Sequence, residues 1–228
     1  MTSRPSAQSG NILFYVLIGI VLLGALTVAL RLGGDAGKDP DSERLTIKAT
    51  EVQRYGAQLQ QGVLSLIDKG ISESDIRFAH PLASADYGDI TTNPANEVFS
   101  STGGNVEYTT PPKGINDGSP WEFFGTSDIP QVGSAKSELI AVVPNVTKEF
   151  CEAVNLQLGF AQGTQPVDIA SGASPDCVYS AVGSDRFTGT YDTSPNTLTA
   201  ATFSRIPSMQ ACVRCGTTYQ YFYVLLAR

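Results

Sequence analysis

The stretch PDSERLTIKATEVQRYGAQLQQGVLSLIDKG, residues 40–70, decides how the rest of the chain must be arranged. Its apolar residues fall at Leu45, Ala49, Val52, Tyr55, Leu59, Val63 and Leu66, in steps of three and four that line one face of an α-helix. Asp39 can cap its start and Pro40 suits the first helical position. Lys69 followed by Gly70 supplies the stop, a cation and then a residue at ease in the left-handed conformation. At the standard rise the helix is about 45 Å long with a single apolar stripe, and that stripe needs a surface to lie on.

The surface is predicted downstream. From Ile71 the texture changes to short β-rich runs punctuated by Gly, Pro, Asn and Asp: NVEYTT at 105–110, WEFFG at 121–125, ELIAVV at 138–143, RFTGTY at 186–191, LTAATF at 198–203 and YQYFYVLLA at 219–227. In the last run Tyr221, Tyr223 and Leu225 alternate with Phe222, Val224 and Leu226, so both faces are apolar and the strand should be central and covered on both sides. One further helix is expected in NVTKEFCEAVNLQLG, closing on Gly159. The expected fold is α+β, a long helix packed on a mainly antiparallel sheet, with a β-rich region over 71–228.

Upstream, residues 11–31 read NILFYVLIGIVLLGALTVALR, with 19 uncharged residues from Ile12 to Leu30. A helix of that length measures roughly 28 Å, enough to cross a bilayer. Arg31 ends the run without a small-x-small cleavage context, which favours a retained span over a removed signal peptide. Residues 1–10 carry Arg4 and no acid, whereas Asp35, Asp39, Asp41 and Glu43 follow the span. The short tail is therefore expected inside a bacterial inner membrane and the long domain outside it, in the periplasm or beyond. Gly19 and Gly24, with Ala25 and Ala29, would let another helix approach closely. Residues 32–39, rich in glycine, read as a hinge.

Of the 15 basic residues, Arg4 and Arg31 flank the apolar run, which leaves 13 against 22 acidic residues in 32–228. That balance, with no basic stripe, excludes nucleic acid as an expected partner. Hydrophobic residues make up 42% of the chain and charged ones 16%, the composition of a folded protein.

All four cysteines, Cys151, Cys177, Cys212 and Cys215, lie in the last third. An even number outside a membrane favours two disulfides, with three possible connectivities. A Cys212–Cys215 bridge is awkward on a straight strand, which favours Cys177 joining one of that duo. CVRC leads through Gly216 into a strand and lacks the helix N-terminus that a redox thiolate needs, and the spacing to Cys151 and Cys177 does not suit a four-thiolate zinc site. The single histidine, His80, precedes Pro81 and has no G-x-S-x-G partner motif. Asp86 with Asp89, or Asp117 with Asp128, could offer oxygens to calcium but read more simply as turn residues. Trp121 is expected in the core, and Asn145-Val146-Thr147 is either a glycosylation acceptor or a helix cap. No catalytic residue, cofactor or metal is assigned.

A polar leader ending in Ser9-Gly10, an uncharged helix, a long amphipathic helix, a β-rich domain and late cysteines resemble, in that order, the type IV pilin-like proteins and pseudopilins. The resemblance implies a non-enzymatic structural subunit or minor subunit of an envelope filament or secretion machine. It implies cleavage by a prepilin peptidase between Gly10 and Asn11, and association with other pilin-like subunits through the N-terminal helix. The family's glutamate at the fifth position after the cut is here Tyr15, which cannot supply its charge pair. The alternatives are a membrane-anchored binding or scaffold module that does not polymerise and, further off, an anchored hydrolase or thiol oxidoreductase.

Overall fold

The computed structural model describes residues 15–24, 40–163, 165–167, 177–198, 200–205 and 209–228. The chain divides into two compact units, Met1–Asp41 and Ser42–Arg228. In the first, residues 15–24 are helical and are called α1. The rest of the expected span, residues 11–14 and 25–31, lies outside the described residues, as do the leader, the hinge and the cap at Asp39. Among the described residues no helix is long and apolar enough to cross a membrane.

The second unit is α+β. Its long helix is α2, Pro40–Asp68, all but the first two residues of which belong to this unit. It ends as the sequence predicts, with Gly70 at φ +85°; the Gly70 amide donates to the Ile67 carbonyl and the Ile71 amide to that of Leu66. These paired bonds satisfy two of the carbonyls that every helix end leaves open. Ala49, Val52, Tyr55, Leu59, Val63 and Leu66 are all buried, so the apolar stripe is the packed face.

Five strands form the sheet: β1 Glu122–Asp128, β2 Glu138–Val146, β3 Asn196–Thr197, β4 Gln210–Cys215 and β5 Thr218–Leu226. Their order is β3-β1-β2-β5-β4, antiparallel throughout except for the β1–β3 pair. Alternation along the strands sorts side chains between two cores. Phe123, Leu139, Ala141, Val143, Cys212, Tyr221 and Leu225 join the face covered by α2. Phe124, Ile140, Val142, Ala211, Val213, Phe222 and Val224 join Phe160, Val178, Leu198 and Phe203 on the other. The two-faced reading of the last strand is thereby realised, with β2 and β4 as its neighbours. A second helix, α3 (Lys148–Gln157), is capped by the Thr147 hydroxyl, which accepts from the Phe150 amide. Gly159 at φ +81° ends it.

The region after α2 departs from the expected β-rich texture. Residues 71–121 hold turns and two short 3-10 helices, Glu73–Asp75 and Ala85–Tyr87, before the first strand of the sheet. NVEYTT is not a strand: Asn105 sits at φ +55°, and the Tyr55 hydroxyl takes the backbone bonds, accepting from the Thr109 amide and donating to the Glu107 carbonyl. RFTGTY runs beside β1, its Phe187 amide donating to Phe123, but Gly189 at φ +107° interrupts it. In LTAATF Leu198 reaches β1, its amide donating to the Asp128 carbonyl, and Ala200–Thr202 turns into a 3-10 helix. Strand β4 was missing from the sequence reading.

The seam between α2 and β5 is tight. A Cβ on Gly56 would stand 2.5 Å from the Tyr223 ring. Alanine normally gains about 1 kcal/mol over glycine in a helix, whereas overpacking costs about 1–3 kcal/mol. Gly56→Ala should therefore lower the midpoint of denaturant unfolding, and a raised midpoint would show that the seam is looser than described.

Candidate functional site

The stapled corner of α3 and β4 contains all the cysteine chemistry. Cys151 on α3 bonds Cys212 on β4, and Cys177 bonds Cys215, with Cα–Cα distances of 5.3 and 5.9 Å. Both separations suit a disulfide. Of the three connectivities left open by the sequence, this is one in which Cys177 joins the CVRC pair. Cys151 and Cys212 lie in the core beneath α2, whereas Cys177 and Cys215 belong to the opposite face. The CVRC sulfurs thus point to different sides of the sheet, a disposition that a dithiol exchanging between those two residues would have to undo.

Between the staples sits Asn155, a residue the sequence reading did not single out. It is 1% exposed, donates through Nδ2 to the Cys212 carbonyl at 2.8 Å and accepts from the Cys212 amide through Oδ1 at 2.9 Å. A buried side-chain amide here substitutes for a neighbouring strand. The Arg214 amide, further along β4, donates to Pro166. At the opposite side of the sheet, β1 is covered by β3 and by the amides of Phe187, Asp192 and Leu198. Open sheet edges are templates for strand addition, and at these positions both edges are occupied.

The polar groups elsewhere serve the fold. Arg186 makes a bidentate pair with Glu122 at 2.7 and 2.8 Å and reaches Asp86 at 2.8 Å, while Tyr87 donates to Glu122 at 2.7 Å. This network joins the 85–87 turn, β1 and the 183–186 turn. His80 stacks on Tyr108 and accepts from the Leu82 amide through Nδ1, and burial lowers its pKa. Asp89 caps Thr91, Asp117 accepts from Ser119 and Asn145, and Asp128 accepts from Thr197. Among the described residues, no group of three His, Cys, Asp or Glu is placed to hold a metal ion. Trp121 is 1% exposed, against Tyr55 and Tyr221. The helix cap is Thr147, and Asn145 stands at φ +53° with its amide donating to Gln220.

A recess of about 600 Å³ runs between α2 and residues 104–109, lined by Arg54, Gln58, Gln61, Asn105 and Glu107 among others. Its lining mixes polar side chains with apolar surface from Ala57 and Val106, and among the described residues no nucleophile paired with a base lines it. A smaller recess of about 220 Å³ contains Glu97, which is 3% exposed and accepts from the Ala79 amide at 2.8 Å. Burial pushes its pKa up to about 7.

Of the residues assigned to anchoring and assembly, Tyr15, Gly19 and Gly24 fall on α1; Gly10, Asn11, Ala25 and Ala29 lie outside the described residues. Tyr15, Val16, Leu17, Ile18, Ile20, Val21, Leu22 and Leu23 are each 40–69% exposed. A Cβ added at Gly19 or Gly24 would meet nothing within 4 Å. Comparison with family models, curated proteins and solved structures gives no match.

Two outcomes follow from this geometry. Peptide mapping of the unreduced chain should recover the 151–212 and 177–215 linkages. Reduction should then lower stability, each bridge contributing about 4 kcal/mol in chain-entropy terms; a 212–215 linkage would contradict the fold. Glu97, with its pKa raised above the ordinary carboxylate value, adds stability that is complete below about pH 4.5 and disappears as pH rises through about 7. Melting temperatures of the full chain should fall over that window, and Glu97→Gln should flatten part of the slope; an unchanged slope would remove Glu97 as its source.

Proposed function

We propose that the chain is a structural, non-enzymatic envelope protein, a single-pass pilin-like or pseudopilin-like subunit whose N-terminal helix anchors and assembles while the α+β domain faces outward. The observation that carries this reading is α1, eight consecutive or near-consecutive large apolar side chains exposed around its whole circumference. A helix apolar on every side is stable only when lipid or other helices cover it. Burying each such side chain contributes about 1.5–3 kcal/mol. The uncharged sequence on both sides of α1 extends the same character from Asn11 to Leu30. Two disulfides fit an oxidising compartment outside the cytoplasm, and the occupied sheet edges favour assembly through helices over strand addition.

A second reading, an anchored scaffold module that does not polymerise, is favoured by Tyr15. A phenol in the membrane cannot pair as an acid with a neighbour's N-terminal amine.

Expression in a bacterial host with a prepilin peptidase, followed by membrane fractionation and N-terminal mass analysis, separates the two. A mature chain beginning at Asn11 that crosslinks into multimers is expected for the subunit. Retention in the membrane with Met1 intact and no multimers selects the scaffold, and release into the soluble fraction would sink both.

A further inference from the structure

The two staples differ in what surrounds them. Cys151 and Cys212 are fully buried, in one core with Phe150, Val154 and Tyr221 beneath α2. Asn155 encloses Cys212 further by bonding both its amide and its carbonyl. The other bridge sits at a margin: Cys177 is 5% exposed, and Cys215, the last residue of β4, is only partly buried. Directly after it Gly216 turns the chain toward β5 at φ +60°, and a Cβ added there would meet nothing within 4 Å. Solvent borders the end of the strand that carries this bridge, whereas the first bridge is reached only by opening a core.

The marginal bridge fastens a cover. Residues 177–182 form neither strand nor helix, yet Val178 is fully buried in the same core as Phe124, Val213, Phe222 and Val224. Tyr179 meets the Phe124 ring edge-on at 6.0 Å. The Ser180 hydroxyl bonds locally, donating to Asp185 and accepting from the Val182 amide. Beyond it, Arg186 anchors the chain to β1 through its bidentate pair with Glu122. Cys177–Cys215 is therefore the covalent tie between the start of this cover and β4. Phe160 and Leu198, which cover the same face, are held separately, their amides donating to the Asn155 and Asp128 carbonyls.

We infer that Cys177–Cys215 is a redox switch: an external dithiol opens it while Cys151–Cys212 persists, and opening frees residues 177–182 from the second face of the sheet. A thiolate of the dithiol attacks Sγ of Cys215, the S–S bond breaks, and Cys177 leaves as a thiolate that takes a proton from water. The second thiolate of the reductant attacks its own sulfur in the mixed disulfide and expels Cys215, which is protonated in turn. Two electrons pass to the two cysteines, and the dithiol ends as a disulfide. Exchange requires access to the sulfur, so the marginal bridge reacts first. Its loss returns chain entropy to the 177–182 segment and uncovers apolar side chains of β4 and β5, while the α2 face keeps its own staple. The switch is independent of whether the chain forms filaments.

Timed alkylation reads it directly. The oxidised full chain is treated with dithiothreitol without denaturant, sampled into iodoacetamide and mapped by peptide mass. Cys177 and Cys215 should be alkylated together, at least roughly tenfold faster than Cys151 and Cys212. Amide exchange of 177–182 in the half-reduced species should rise by at least about tenfold, with the α2 amides around Leu59 changing less than about twofold. Oxidised glutathione should restore the original protection. The double variant Cys177→Ser with Cys215→Ser should show the released pattern without reductant; if it does not accumulate, the half-reduced wild-type chain gives the same readout. Equal labelling of all four cysteines, earlier labelling of the buried pair, no labelling short of global unfolding, or an opened bridge with 177–182 still protected would each overturn the switch.

Discussion

The domain depends on one surface match, the apolar stripe of α2 lying on the inner face of β2 and β5. Gly56 allows the helix to sit against the Tyr223 ring, and Gln60, about one turn further on, donates to the Val224 carbonyl at 3.3 Å. Because β5 is apolar on both sides, covering it once is insufficient. The segments after α3, carrying Phe160, Val178 and Phe203, supply the second cover. That requirement explains why long, irregular connections persist in the last third of the chain and why they are cross-linked there.

Much of this arrangement was legible in the residues. The three-and-four spacing from Leu45 to Leu66 identified the buried face of α2, since a stripe of that width has no stable place in water. The glycines at 70 and 159 marked the helix ends because their left-handed conformation is disfavoured for other residues. Alternation in YQYFYVLLA showed a doubly covered strand. The failures share a cause. NVEYTT, RFTGTY and LTAATF have strand-like composition, but β-propensity describes side chains suited to a half-buried pleat and says nothing of which backbone partner is available. Tyr55, for instance, satisfies residues 107 and 109 with a hydroxyl from the helix.

The functional features were less visible. Cysteine count and position pointed to disulfides, while their pairing needed the sheet, which sends Cys212 and Cys215 to opposite faces. Nothing in a lone asparagine within an amphipathic helix announces that it will complete the edge of β4.

The crossed staples also have a mechanical meaning. Cys151 and Cys212 are 61 positions apart in sequence, and Cys177, inside that stretch, is joined to Cys215 just beyond it. Tension travelling along the backbone can therefore bypass everything between 151 and 212 through a single covalent bridge. At about 3.3–3.6 Å per residue, roughly 200 Å of slack is withheld from the chain. A domain pulled by its two ends would yield in α2, in the turns before β1, in the first two strands and in β5, leaving residues 151–215 as an inextensible clamp.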